Sequence, residues 1–127
     1  PQVARGDVTL PELRAIHATM EWALGQKGSF LDAIYLCPHH PDRGFAGEIP
    51  ELKIACECRK PKSGMFRQAA RDLNLDLESS YVIGDSWRDI EAGKSIGAKT
   101  VLVLSGETQP SQALAVGADF VARDVLE

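Results

Sequence analysis

Tyr81-Val82-Ile83-Gly84-Asp85-Ser86-Trp87-Arg88-Asp89 is the stretch on which the fold turns. A compact apolar run gives a short strand of buried type, Gly84-Asp85 ends it, and a helix starting near Ser86 carries Ile90, Ala92 and Ile96 and stops at Gly97. Thr100 to Leu104, β-branched and apolar, is the next strand, Pro110 to Val116 a short helix and Asp119 to Val121 a last strand. Upstream, Ser63 caps a helix with Met65, Phe66, Ala69, Ala70 and Leu73. Strands alternating with helices predict βαβ units, hence an α/β fold with a parallel sheet.

Further out the chain opens with Thr9-Leu10-Pro11-Glu12, a capping box before an amphipathic helix with Leu13, Ile16, Met20 and Leu24, ending near Gly25. Phe30 to Leu36 predicts a strand running into Cys37, and Pro38 to Ala55 a long polar loop with few apolar anchors. The 127 residues fit one domain, 1–127, and 44% hydrophobic with 25% charged residues exclude a disordered or coiled-coil chain. Fourteen basic against eighteen acidic residues give −4, so nucleic acid and anionic membrane are not the expected partners. The longest strongly apolar run, Val101 to Leu104, is far short of a bilayer span. The first residue is Pro1 with no charged-then-apolar leader after it, so the expectation is a cytoplasmic chain that is processed or part of something longer.

All three cysteines fall into two tight groups, Cys37-Pro38-His39 and Cys56-Glu57-Cys58, with sixteen residues between His39 and Cys56. Each group lets one bend of backbone offer two ligands, and the two together close a four-ligand site of the structural zinc kind. Thiolates favour zinc over magnesium or calcium. The expected zinc loop is 37–58, ordered by metal rather than by a core of its own. His40 competes with His39 as the fourth ligand, and a Cys37–Cys56 disulfide with Cys58 free is the competing arrangement.

Arg59-Lys60-Pro61 follows the second group directly. Arg offers a planar fork for phosphate oxygens, Lys a point charge, and Pro61 biases Lys60 toward extended backbone. Asp85 lies past the carboxyl end of a strand, where open α/β sheets bind ligands, and a carboxylate there suits magnesium. Gly84 would let a ligand approach the backbone closely. Asp89, one helical turn later, is placed to orient a lysine or the neighbours of Asp85. The plain alternatives are a solvated basic turn, a helix-capping Asp85, a packing role for Trp87 and a solvated Arg5.

Cys37-Pro38-His39-His40-Pro41, Cys56-Glu57-Cys58-Arg59-Lys60-Pro61 and the 81–89 stretch together resemble the zinc-containing branch of the haloacid dehalogenase superfamily, the branch of heptose-bisphosphate phosphatases and histidinol-phosphatases. The resemblance runs from Val3-Ala4-Arg5-Gly6 to the end. It implies a Rossmann-like parallel sheet with flanking helices and a zinc-bound loop, with Cys37, His39, Cys56 and Cys58 as zinc ligands. It implies Lys60 as the cation that steadies the transferring phosphoryl group, Arg59 as a substrate-recognition residue, Asp85 as a magnesium carboxylate and Asp89 as the supporting acid of the same motif. The implied activity is a magnesium-dependent phosphatase hydrolase of carbohydrate metabolism. Its substrate is a phosphorylated sugar, with the C7 phosphate of D-glycero-D-manno-heptose 1,7-bisphosphate removed through an aspartyl-phosphate. Histidinol phosphate is the alternative substrate.

The chain departs from the family at its start. The family's nucleophile and acid/base pair, an Asp-x-Asp on a first strand, has no match here; the early acid Asp7 has no paired aspartate. A Thr or Ser with Asn-Gln is missing too, and Pro1-Gln2 starts about where that motif would end. Ser86 stands where some members have lysine. The expectation is therefore a domain incomplete at its N-terminus, with an open apolar sheet edge and no phosphatase activity of its own. A non-catalytic zinc module that binds a partner is the reading from another class.

Overall fold

Tyr81–Gly84 (β1), Lys99–Val103 (β2) and Phe120–Ala122 (β3) form a parallel sheet in the order β1-β2-β3 in the computed structural model, which describes residues 2–127. Tyr81 pairs with Lys99 and Gly84 with Leu102; Val101 pairs with Phe120 and Val103 with Ala122. Pro1, which with Gln2 stands about where the missing Asn-Gln motif would end, lies outside the described residues. The chain divides into two compact units, Pro1–Cys56 and Glu57–Glu127.

In the second unit, Gly64–Leu73 (α3), Trp87–Lys94 (α4) and Ala113–Val116 (α5) accompany the sheet. Val82, Ile90, Ala92, Ile96, Ala98, Leu102 and Val103 are buried, and Phe66 and Leu77 pack on the cluster of Val82, Ile96 and Ala98. Close packing of α4 on the sheet depends on Gly93, where a Cβ would stand 2.9 Å from Val82 Cβ and Thr100 Cγ2. Thr100, fully buried, ties the starts of β2 and β3: its amide and hydroxyl both donate to Asp119 Oδ2 at 2.7 Å, and Asp119 N–H donates to Thr100 Oγ1 at 3.1 Å. Those bonds, the hydroxyl's first, hold the Asp119 carboxyl below the usual range. Among the described residues β1 pairs with β2 alone, so its other edge is open as expected, and on one face of β1 Tyr81 and Ile83 are 57% and 54% exposed.

In the first unit the capping box forms as read. Thr9 caps Leu10–Gly25 (α2), Glu12 N–H donates to Thr9 Oγ1, and Thr9 N–H donates back to Glu12 at 2.8 Å. The apolar stripe of α2 is largely uncovered, with Ile16 57% and Met20 40% exposed. Here periodicity gives the helix correctly but not its burial, which depends on what packs against it. The four-residue helix Gln2–Arg5 (α1), burying Val3 and Ala4, has no signal in the sequence.

Phe30 to Leu36 is not a strand, contrary to the sequence reading. A strand exists only in a ladder, and β1, β2 and β3 pair with one another alone among the described residues. The 38–55 loop also differs from expectation, because it has a centre of its own. The Lys53 side chain is fully buried; its Nζ donates to Asp42 O at 2.6 Å, lies 3.4 Å from Glu48 Oε2 and stands 4.5 Å over the Phe45 ring. Arg5 covers the same ring at 4.8 Å, and the buried His40 meets it edge-on. Glu48 Oε2 accepts the amides of Phe45 and Gly44 at 3.0 and 2.9 Å; the Phe45 amide first, then Lys53 and the Gly44 amide, hold its carboxyl below the usual range. A loop poor in aliphatic residues is thus ordered around one aromatic ring between two cations.

Candidate functional site

The ligand atoms of Cys37, His39, Cys56 and Cys58 all lie within 4.8 Å of one another. Cys37 Sγ is 3.5 Å from Cys56 Sγ and 3.8 Å from His39 Nδ1. Cys58 is brought to this cluster by chain continuity, two residues after Cys56. Tetrahedral zinc with Zn–S and Zn–N bonds of about 2.3 and 2.0 Å sets its ligand atoms roughly 3.5–3.8 Å apart, so the donor set and spacing fit that ion. The disulfide alternative is corrected: 3.5 Å is far beyond a bond of about 2.05 Å, and none of the three cysteines is in a disulfide. The two histidines are placed differently. His39 joins the cysteines, whereas His40 is buried at 4% exposure with its Nδ1 accepting the Asp42 amide at 3.1 Å.

In the second unit, Arg59 to Lys62 is a turn closed by Lys62 N–H to Arg59 O at 3.0 Å, with a cis Lys60–Pro61 bond. It delivers Lys60 Nζ to Asp89 Oδ1 in a close ion pair. Asp89, 8% exposed in its side chain, receives the Ser86 amide and hydroxyl on Oδ2 at 3.2 and 3.1 Å. Lys60 itself keeps 42% of its side chain exposed, so its charge is fixed yet accessible. The Arg59 guanidinium takes no hydrogen bond or ion pair among the described residues.

Asp85 does not cap α4; Ser86 does. Asp85 Oδ2 accepts Glu107 N–H at 2.9 Å and its carbonyl accepts Thr108 N–H at 3.0 Å, while Oδ1 has no partner among the described residues. A hard carboxylate oxygen without a partner, on a half-buried residue, fits magnesium, whose other ligands would be water and phosphate oxygens. Gly84 serves a different approach from the one read in the sequence: a Cβ there would collide with the Asp89 side chain rather than with a ligand. Gly106, missed in the sequence, has the same role for Asp85, because its Cβ would collide with that carboxylate. A glycine just past the carboxyl end of a strand, as in Leu104-Ser105-Gly106, is the signal that could have found it. Trp87 is 47% exposed and lines an open cavity of about 620 Å³ with Glu107, Thr108, Ser111 and Gln112.

Comparison with known proteins fits this arrangement. A D-glycero-beta-D-manno-heptose-1,7-bisphosphate 7-phosphatase of Yersinia pestis is 39% identical over 98% of this chain and 64% of its own length. The enzyme of the same name from Haemophilus ducreyi is 42% identical over 83% of this chain and 56% of its own. Among solved structures, the D,D-heptose 1.7-bisphosphate phosphatase of B. bronchiseptica, complexed with magnesium and phosphate, superposes with a TM-score of 0.78 at 38% identity, over 97% of this chain and 64% of that one. A putative HAD-like phosphatase of Mesorhizobium loti follows at 0.74 and 30%, over 86% and 51%. The chain thus spans somewhat under two thirds of the length of these relatives. The HAD-hydrolase-like family model matches residues 57–127, the unit that holds Lys60, Asp85 and Asp89, and the chain belongs to that family.

Proposed function

We propose that this chain, as one domain portion over 1–127, supplies the zinc loop and the phosphate-handling residues of a magnesium-dependent phosphatase. Its substrate is a heptose 1,7-bisphosphate, cleaved at C7. The observation that carries the proposal is the Lys60–Asp89–Ser86 arrangement beside Asp85, at the carboxyl end of β1. Lys60, held by Asp89, presents its ammonium to phosphoryl oxygens, and the unpartnered Arg59 fork recognises substrate phosphate. Asp85 would hold magnesium, which supplies charge neutralisation on the phosphoryl oxygens. Cys37, His39, Cys56 and Cys58 would hold structural zinc. A site of three thiolates suits a reducing compartment, so the cytoplasm is the proposed location. Among the described residues no helix is long and apolar enough to cross a membrane.

The relatives' names favour the heptose substrate; neither histidinol phosphate nor a purely binding zinc module is favoured by any of them. With no Asp-x-Asp in its sequence, the chain by itself forms no phosphoenzyme. The test joins this chain to the first-strand segment of the Yersinia pestis relative and measures phosphate release. The chimera is expected to hydrolyse heptose bisphosphate with magnesium and to favour it over histidinol phosphate by more than about tenfold in kcat/KM. Lys60→Met should abolish this. Magnesium-dependent release by the 127-residue chain alone, or a reversed preference, contradicts the proposal.

A further inference from the structure

The segment after β2 has no helix or strand across residues 105–108, yet it is tied to Asp85 and to the first turn of α4 at several points. Glu107 N–H donates to Asp85 Oδ2 at 2.9 Å, and Thr108 N–H donates to the Asp85 carbonyl at 3.0 Å. Gly106 lies so close to the Asp85 carboxylate that no Cβ fits between them. Arg88, three residues beyond Asp85, donates from Nη2 to Oε2 of Glu107, nineteen residues further along the chain, at 2.5 Å, with its guanidinium 5.7 Å from the Trp87 ring centre.

From this geometry we infer that Arg88 and Glu107 are a positioning pair for Asp85. Their ion pair holds the 105–108 segment in place, so that the Glu107 amide anchors one carboxylate oxygen and leaves the other committed to a divalent cation. The inference rests on Asp85 being the magnesium carboxylate. A carboxylate held at one oxygen loses less rotational freedom on taking a metal at the other, and groups that orient a ligand in this way raise metal affinity. The Glu107 side chain serves the pair while its backbone serves Asp85, so the two functions lie on one residue and are separable by mutation. Without this role the pair is an ordinary surface ion pair, its side chains 35% and 53% exposed, with no influence on Asp85.

Manganese titration of the ¹⁵N-labelled chain separates these cases, reading paramagnetic broadening of the Glu107 amide and its hydrogen-exchange rate. Arg88→Ala is expected to weaken Mn²⁺ binding by about two- to fivefold, the range an exposed ion pair can carry, and to speed Glu107 amide exchange. Exchanging the charges, Arg88→Glu with Glu107→Arg, should restore affinity to within about twofold, which a merely structural loss would not do. Both side chains are partly exposed, so neither substitution opens the core. If Arg88→Ala leaves affinity and exchange unchanged while Asp85→Asn abolishes binding, the positioning role is wrong and the assignment of Asp85 stands. If Asp85→Asn leaves Mn²⁺ binding unchanged, the assignment fails and the inference with it.

Discussion

The 38–55 loop and the β1–α4–β2 segment are ordered by opposite means. In β1–α4–β2, aliphatic residues spaced at strand and helix periods bury against one another: Val82 from β1, Ile90 and Ala92 from α4, Leu102 and Val103 from β2. In the loop, a fully buried lysine and a histidine surround Phe45 together with Arg5 from α1, and three thiols and an imidazole gather at its ends. Apolar burial is non-directional and leaves a periodic trace in the sequence, whereas charge pairing, cation–π contact and metal ligation depend on a few residues far apart along the chain. Hydropathy pattern therefore finds the first region and is silent on the second.

The difference can be broken most sharply at Lys53. Lys53→Ala leaves Glu48 and the Asp42 carbonyl without their cation inside the loop, and a loss on the order of 3 kcal/mol is expected in the denaturant unfolding of the loop region, read by Phe45-proximal amide signals. An unchanged midpoint would mean that the loop is ordered by its thiol cluster alone. On the sheet side, Gly93→Val forces methyl groups into Val82 and Thr100 and should cost about 2 kcal/mol in thermal unfolding monitored by the strand amides.

These two sites also show how much of the molecule could be read in advance. The β1, α4 and β2 elements, the α2 capping box, the four-ligand set and the Lys60–Asp89 partnership all follow from local pattern or motif, because each is determined within a few residues or by chemistry peculiar to Cys, His, Lys and Asp. Phe30 to Leu36 is apolar enough for a strand but lacks a ladder partner, and the stripe of α2 lacks a cover; both depend on neighbours that periodicity does not name. The Phe45 cluster and the Gly106–Glu107 support of Asp85 are contacts between distant segments, and only an isolated aromatic in a charged loop and a glycine beyond a strand end hint at them.

Smaller effects sharpen the comparison. Thr9→Ala removes the hydroxyl that accepts the Glu12 amide and should lower the stability of α2 by about 1 kcal/mol, seen as faster exchange in its first turn only. Asp119 gives a pH test of the sheet. Its folded-state pKa is lowered from 3.8, chiefly by the Thr100 hydroxyl and then by the Thr100 amide, so its contribution is complete above that ordinary value and is lost as pH falls through the lower folded value. Asp119→Asn should therefore lower stability at neutral pH, where the carboxylate's contribution is complete, and flatten the acid limb below about pH 4, so that the two chains converge in acid. An acid limb identical to that of the parent chain would remove Asp119 from the account.

Amide hydrogen exchange of the zinc-loaded chain before and after chelation tests the central claim most directly. The account predicts one zinc per chain. On its removal, protection falls around Cys37, Cys56 and Cys58, persists in part around Phe45 and Lys53, and is unchanged in β1, β2 and β3. A chain that binds no zinc, or one whose strand amides lose protection together with the loop, would contradict it.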